Sequence, residues 1–253
     1  MKALKPFTRP LAGTLLSLAA PQAAEIIAAS GFDWVLIDME HSALSLESVQ
    51  NAIQIMGHRI LTIVRVPGND EIWIKRVLDT GCDGILVPMV NTAAEAEKVL
   101  QSAMYPPRGK RSVGLSRAHA YGPGFDHYVA NANGDLVIMI QAEHREAVAD
   151  IDAILKVKGI DAIFIGPYDL SASMGLTGQI THPEVKAAIK TIKAKCTDAG
   201  MPWGIFGMTP SGLSEEISSG CTFPLCGVDA AILMESYRTL LGELGKSIKL
   251  QAG

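Results

Sequence analysis

Several apolar runs in this chain end in groups that a buried strand does not need. DWVLID (33–38) leads into Met39, Glu40 and His41; LTIVRV (61–66) carries Arg65; LVIMIQAE (136–143) carries Gln141 and Glu143; AIFIGPYD (162–169) ends in Asp169; GILVPM (84–89) is a further run of the same kind. A carboxylate or guanidinium is expensive to hold at the end of an apolar strand unless something there binds it. The types involved are two hard oxygen donors, a fixed cation and an imidazole. Together they suit metal-assisted chemistry on an oxyanion, with a general base alongside.

Glu143 and Asp169 stand at or just past the ends of consecutive strands. Neighbouring strands lie about 4.8 Å apart, so the two carboxylates can share one cation. Two oxygen ligands leave positions for water or substrate, which suits Mg2+ or Mn2+ better than zinc. Taken as a pair alone, they read equally well as solvated loop acids. Gln141 lies two residues before Glu143 and therefore on the same face of the strand. Arg65 sits between Val64 and Val66; a structural ion pair would explain it, and so would a cation aimed at developing negative charge. His41 shares its turn with Asp38 and Glu40 and reads as a general base. IFIGPYDLSASMG combines a strand, a Gly-Pro turn and a short helical start, and backbone N–H groups at such a start, in GPYDLS around Gly166, Pro167, Tyr168 and Asp169, can receive an anionic substrate. No strand carries a lysine, and Lys75 and Lys110 fall in a helix and a loop. A Schiff-base mechanism is therefore not expected.

The elements that must position these groups alternate strand and helix. Strands are expected near 12–18, 33–38, 60–66, 83–89, 135–142, 161–165, 202–207 and 223–227. Helices are expected near 21–30, 45–57, 70–80, 92–103, 144–157, 183–199, 210–219 and 229–244. Continuous apolar strands such as WVLI and AIFI are those of a parallel sheet covered on both faces. Gly31, Gly57, Gly81, Gly159, Gly200 and Gly220 supply helix stops. Eight units without a break in composition predict an α/β fold, one (β/α)8 barrel domain over 1–253. Its C-terminal strand ends would form the site. An open doubly wound sheet is the alternative, but no GxGxxG follows the first strand. Residues 104–134, rich in Gly, Pro, Arg and aromatics, are expected to be irregular and to cross the N-terminal side, and selectivity is expected to depend on them and on subunit contacts.

The 253 residues are 48% hydrophobic and 19% charged with a net charge of −4. That balance fits a soluble domain and offers no basic surface for nucleic acid or anionic membrane. No apolar run reaches the roughly 20 residues of a membrane span. The N-terminal stretch has a faint look of a signal peptide, but Pro10 interrupts it and LAGTLLSL reads as a first strand. Cys82, Cys196, Cys221 and Cys226 form no CxxC pair and read as free thiols in a reducing cytoplasm.

With GFDWVLIDMEH, RVPGND, GILVPMV, YPPRGKRSVG, IQAEHREA and FIGPYDLSASMG in view, residues 10–245 resemble the HpcH/HpaI aldolases. These are metal-dependent class II pyruvate aldolases on a barrel of the phosphoenolpyruvate/pyruvate type. The resemblance implies a divalent ion (Mg2+, Mn2+ or Co2+) on Glu143 and Asp169, Arg65 as enolate stabiliser, and His41 as base with Asp38 nearby. It implies that Asp79 raises the basicity of that histidine, from a neighbouring subunit in some arrangements. Gln141 and the Tyr168–Asp169 backbone would contact the oxo-acid. It also implies a hexamer, a trimer of dimers with exchanged C-terminal helices. Ala142 and His144 depart from the family pattern, a change expected at the rim. CTFPLCGVD departs too, so contacts from strand eight to the acceptor do not carry over.

The expected reaction is reversible cleavage of a 4-hydroxy-2-oxo acid to pyruvate, or a close analogue, and an aldehyde. A CoA-ester lyase acting on a malyl- or citryl-type thioester and a non-catalytic 2-oxo-acid binding protein are the alternatives.

Overall fold

A computed structural model describes residue 7 and residues 9–251. The chain runs β1 (Gly13–Leu16), α1 (Pro21–Ala29), β2 (Trp34–Asp38), α2 (Leu46–Met56), β3 (Leu61–Arg65), α3 (Glu71–Asp79), β4 (Gly84–Val87) and α4 (Ala93–Ala103). It continues through a 3-10 turn (Arg117–His119), α5 (Phe125–Asp135), β5 (Val137–Ala142), α6 (Arg145–Ile154), β6 (Ala162–Ile165) and α7 (Pro167–Ser173). The last elements are α8 (Pro183–Asp198), β7 (Trp203–Gly207), α9 (Pro210–Ser218), β8 (Phe223–Val228) and α10 (Asp229–Gln251). All eight strands are parallel and pair in sequence order, and β8 returns to β1. The expected barrel is therefore closed, and the open-sheet alternative falls. The first strand, which the signal-peptide reading would have removed, holds both β2 and β8.

Strand alternation divides the core in two. Val35, Ile37, Val64, Ile138 and Ile163 face the helices, in one large apolar layer. Leu15, Trp34, Leu36, Ile63, Met139, Phe164, Phe223 and Leu225 fill the barrel interior. Aromatic rings plug its N-terminal end: Trp34 meets Phe223 edge-on at 5.6 Å and Phe164 at 6.2 Å. The plug needs Gly13, because a Cβ there would stand 2.2 Å from the Trp34 ring. Among the described residues, these rings close the interior at its N-terminal end.

Helix starts are built locally. Ser45 caps α2, Asp70 caps α3, and Thr92 with Glu95 forms a capping box on α4.

Two expectations change. The 104–134 stretch is irregular only in part, because its second half folds as α5. That helix buries little beyond Ala132 and contains Asn131, Asn133 and Gly134, so its periodicity is faint. The second is α10, which runs past the expected 244 to Gln251. The short helical start expected in GPYDLS is present, as α7.

Candidate active site

The same two-residue spacing that builds the barrel interior carries polar groups to its mouth. Trp34 and Leu36 lead to Asp38; Leu61 and Ile63 lead to Arg65; Val137 and Met139 lead to Gln141 and Glu143. Asp38 and Arg65 are direct neighbours in the β2–β3 register. Arg65 gives Nε to Asp38 Oδ1 at 2.8 Å and one Nη to Oδ2 at 2.7 Å, a two-pronged pair. Burial by itself would raise the Asp38 carboxyl, but the guanidinium outweighs it and holds the group below its usual range. Asp38 Oδ1 also accepts from the Glu40 backbone N–H at 3.0 Å, which shapes the turn that presents His41.

Asp38, His41, Arg65, Gln141, Gly166, Pro167, Tyr168 and Asp169 line one cavity of about 430 Å³. Glu143 lies just beneath it and is almost wholly buried. Its Oε1 accepts from the Met89 N–H at 2.8 Å, and its Oε2 accepts from Gln141 Nε2. Met89 reaches it from a left-handed conformation (φ 53°) that a side-chain-bearing residue adopts at a cost. Gly166 packs directly over this carboxylate: a Cβ there would sit 2.6 Å from Glu143 Oε2. Burial, with Glu40 and Asp169 close by, pushes the Glu143 carboxyl up to about 7 despite the Met89 N–H. Among the described residues, no cationic side chain hydrogen-bonds it. Gln141 Oε1 is buried without a hydrogen-bond partner. A buried acid without a salt bridge among the described residues thus lies beside an unused acceptor.

Asp79 is not brought to this place. It ends α3, at the N-terminal end of the barrel, and accepts from an Arg111 Nη at 2.7 Å. A helix following a strand returns to the opposite end of the barrel, so the chain's own Asp79 does not meet its own His41. The 104–134 segment lies at that same end, where Arg117 donates to the Thr80 carbonyl at 2.8 Å. Its expected influence on selectivity does not arise within one protomer. Ala142 also departs from expectation, since it points outward into the helix-facing core rather than to the rim. His144 caps α6 through Nδ1.

Two sets of neighbours escaped the sequence reading as site residues. Glu40 Oε2 is buried, 3.3 Å from Arg65 Nε and 3.6 Å from His41 Nε2. Burial raises its carboxyl, although Arg65 and His41 pull the other way. The crowding of Asp38, Glu40 and His41 in one turn was its signal. The other set is apolar: Leu15, Leu36, Phe164, Phe206, Leu225 and Val228 complete the cavity wall. In sequence these look like ordinary core.

The family model described as HpcH/HpaI aldolase/citrate lyase matches residues 12–236. A hydroxypyruvate/pyruvate aldolase of Pseudomonas aeruginosa is 39% identical over 233 residues, covering 91% of this chain and 87% of the relative. A 4-hydroxy-2-oxo-heptane-1,7-dioate aldolase of Shigella flexneri is 38% identical over 242 residues, covering 94% and 90%. Among solved structures, an HpcH/HpaI aldolase/citrate lyase family protein from Burkholderia cenocepacia J2315 superposes with a TM-score of 0.90 at 31% identity, covering 93% of this chain and 95% of that one. A closed barrel with acids, amide and arginine at its mouth, matched over nearly its whole length by these proteins, belongs to the HpcH/HpaI aldolase/citrate lyase family.

Proposed function

We propose that the groups around this cavity cleave a 4-hydroxy-2-oxo acid reversibly into pyruvate, or a close 2-oxo-acid analogue, and an aldehyde. Membership of the family and relatives of these two names make the chain an aldolase, a carbon–carbon lyase. They do not favour the CoA-ester lyase reading. The observation that carries the assignment of roles is the Asp38–Arg65 pair. Asp38 engages Nε and one Nη, and the second Nη makes no hydrogen bond among the described residues. The guanidinium is therefore immobile and keeps donors for a ligand.

In the cleavage direction His41 takes the C4 hydroxyl proton. The C3–C4 bond breaks, the aldehyde leaves, and the electron pair passes into an enolate at C2 and C3. Arg65 faces that enolate oxygen with its free N–H groups, and protonation at C3 then gives pyruvate. Gln141 and the first-turn amides of α7, at Tyr168 and Asp169, hold the oxo-acid's oxygens. Glu40 lies between Arg65 and His41 and orients both.

Glu143 and Asp169 fit a divalent cation. Glu143 is buried and makes no salt bridge among the described residues, and Asp169 is close enough to raise its proton affinity. Among the described residues no cluster of three or more His, Cys, Asp or Glu is arranged to hold a metal, so the remaining ligands would come from water and substrate. Bound there, Mg2+, Mn2+ or Co2+ would supply Lewis-acid charge stabilisation.

Exposed apolar side chains on α10 (Leu233, Tyr237, Leu240, Leu241, Leu244, Ile248) support a helix exchanged with a second copy in a hexamer. In that assembly Asp79 would reach only another copy's His41. Among the described residues no helix is long and apolar enough to cross a membrane.

The test is pyruvate methyl-proton exchange in D2O together with aldol cleavage, each with Mg2+ or Mn2+ and each after chelation. Both activities should need the added ion. Activity that survives exhaustive chelation would refute the metal assignment, and absence of exchange under every condition would refute the aldolase reading.

A further inference from the structure

The cavity has two unlike halves. Asp38, Arg65, Gln141 and Asp169 stand on β2, β3, β5 and α7; the opposite wall, from β7, β8 and β1, is Phe206, Leu225, Val228 and Leu15. The one polar side chain on that second wall is Ser17, and it is already committed: its hydroxyl donates to Asp229 Oδ1 at 2.6 Å, and its backbone N–H to the same oxygen at 2.9 Å. Among the described residues lining the cavity, Arg65 is the sole permanent cation, and Asp38 and Glu40 flank it. Beyond this wall Val228 and the half-exposed Met208 border a separate cavity, where Glu235 and Arg238 of α10 also stand.

Resting on the aldolase reading above, we infer that the acceptor is an aldehyde with an uncharged, apolar chain. The oxo-acid occupies the polar half, where its carboxylate and keto oxygens find donors. In the addition direction its C3 gives up a proton to form the enolate, that carbon bonds to the aldehyde carbon as the C=O π bond opens, and the aldehyde oxygen takes a proton from His41. The aldehyde chain is then left against Phe206, Leu225 and Val228. The 430 Å³ of the cavity leaves room there for several carbons. A second carboxylate on the aldehyde would lose water on this wall and, among the described residues of this protomer that line it, meet no cationic side chain in return. A chain of the same shape without charge loses nothing and buries apolar surface. Phe206 and Val228 are half-buried residues at the cavity edge, so they set this preference more than the deeper Leu15 and Leu225 do.

The test compares two aldehydes of one shape, 4-methylpentanal and 4-oxobutanoate, with pyruvate and Mn2+ on the full-length protein. Initial rates give kcat/KM for each, and pyruvate proton exchange is followed without aldehyde. The uncharged aldehyde should be preferred by about tenfold or more, the scale at which a pocket discriminates by fit and desolvation. Phe206→Lys and Val228→Lys, made separately so that one misfolded variant does not decide the matter, should each move the ratio at least about tenfold toward 4-oxobutanoate. Exchange that proceeds while wild-type protein uses 4-oxobutanoate equally well or better would overturn this inference alone. Missing exchange would overturn it together with the aldolase reading. Ratios unmoved in both folded lysine variants would show that the chain does not lie on this wall, and would also overturn it.

Discussion

At the mouth of the barrel Arg65 is clamped edge-on by Asp38, with Glu40 at 3.3 Å, and looks into a cavity. At the opposite end Arg111 is also bound to an aspartate, Asp79, at 2.7 Å, yet its side chain has no exposed surface. It lies against the rings of Tyr105 and Tyr128, 4.6 and 5.7 Å from their centroids. Its Nε has no hydrogen-bond partner. The difference is in what the spare donors face. Around Arg65 they face open space bounded by acids, so charge arriving there is met by a fixed cation. Around Arg111 they face rings, so the cation joins the 104–134 segment to the end of α3. One arginine is held ready for a ligand; the other has become part of the packing.

Replacing each arginine should separate the two roles. Arg65→Ala removes the enolate's cation, and losing such a preorganised donor costs about 3–4 kcal/mol of barrier, a factor of about 10³. Pyruvate proton exchange and aldol cleavage should fall together. Arg65→Lys, which keeps charge without the two-pronged geometry, should recover only a fraction. Near-normal exchange in a folded Arg65→Ala protein would erase the distinction between the two ends. Arg111→Met should act on stability instead. Breaking a buried pair from one side costs about 3–5 kcal/mol when the partner is sealed in. Asp79 retains some exposure, so the lower end is expected, read from denaturant midpoints.

The two ends also differ in how legible they were. Arg65 stood out because it interrupts LTIVRV, and Glu143 and Asp169 because they close apolar strands. The eight βα units were readable for the same reason: several strands are continuous apolar runs and most helices have a cap or a glycine stop. Arg111 sits in YPPRGKRSVG among other basic residues, where nothing marks one as buried. Nor does anything mark Phe206 or Leu225 as cavity wall rather than core, since both uses need the same apolar side chain. The α5 helix was missed because tertiary contacts, not amphipathic periodicity, hold it.

A pH titration should widen the contrast. A proton and a divalent cation compete for Glu143, whose carboxyl is pushed up to about 7, chiefly by burial. Below that pH, cation affinity should fall about tenfold per unit if a single proton must leave; above it, affinity should level off. Calorimetry with Mn2+ between pH 5.5 and 8 reads this slope, and Glu143→Gln should remove both the slope and most of the affinity. In the cation-free protein the sign reverses. A raised carboxyl favours the fold while protonated, so its contribution is complete below the unfolded value near 4.5 and is lost as pH rises through about 7. A slope centred near 4.5 would show that Glu143 is not sealed in as described.

The smallest effect concerns the hydroxyl of Tyr128. An Arg111 Nη donates to it at 3.3 Å, a long contact. Tyr128→Phe keeps the ring against the guanidinium and removes that acceptor, for an expected loss of about 1 kcal/mol. Tyr128→Leu removes the ring's electrostatic attraction as well and should cost roughly 1–2 kcal/mol more. If Phe and Leu proved equally damaging, the rings would be filling space without holding the cation. Arg111 would then owe its place to Asp79 alone, as Arg65 owes its place to Asp38, and the two ends would differ only in the cavity that one of them faces.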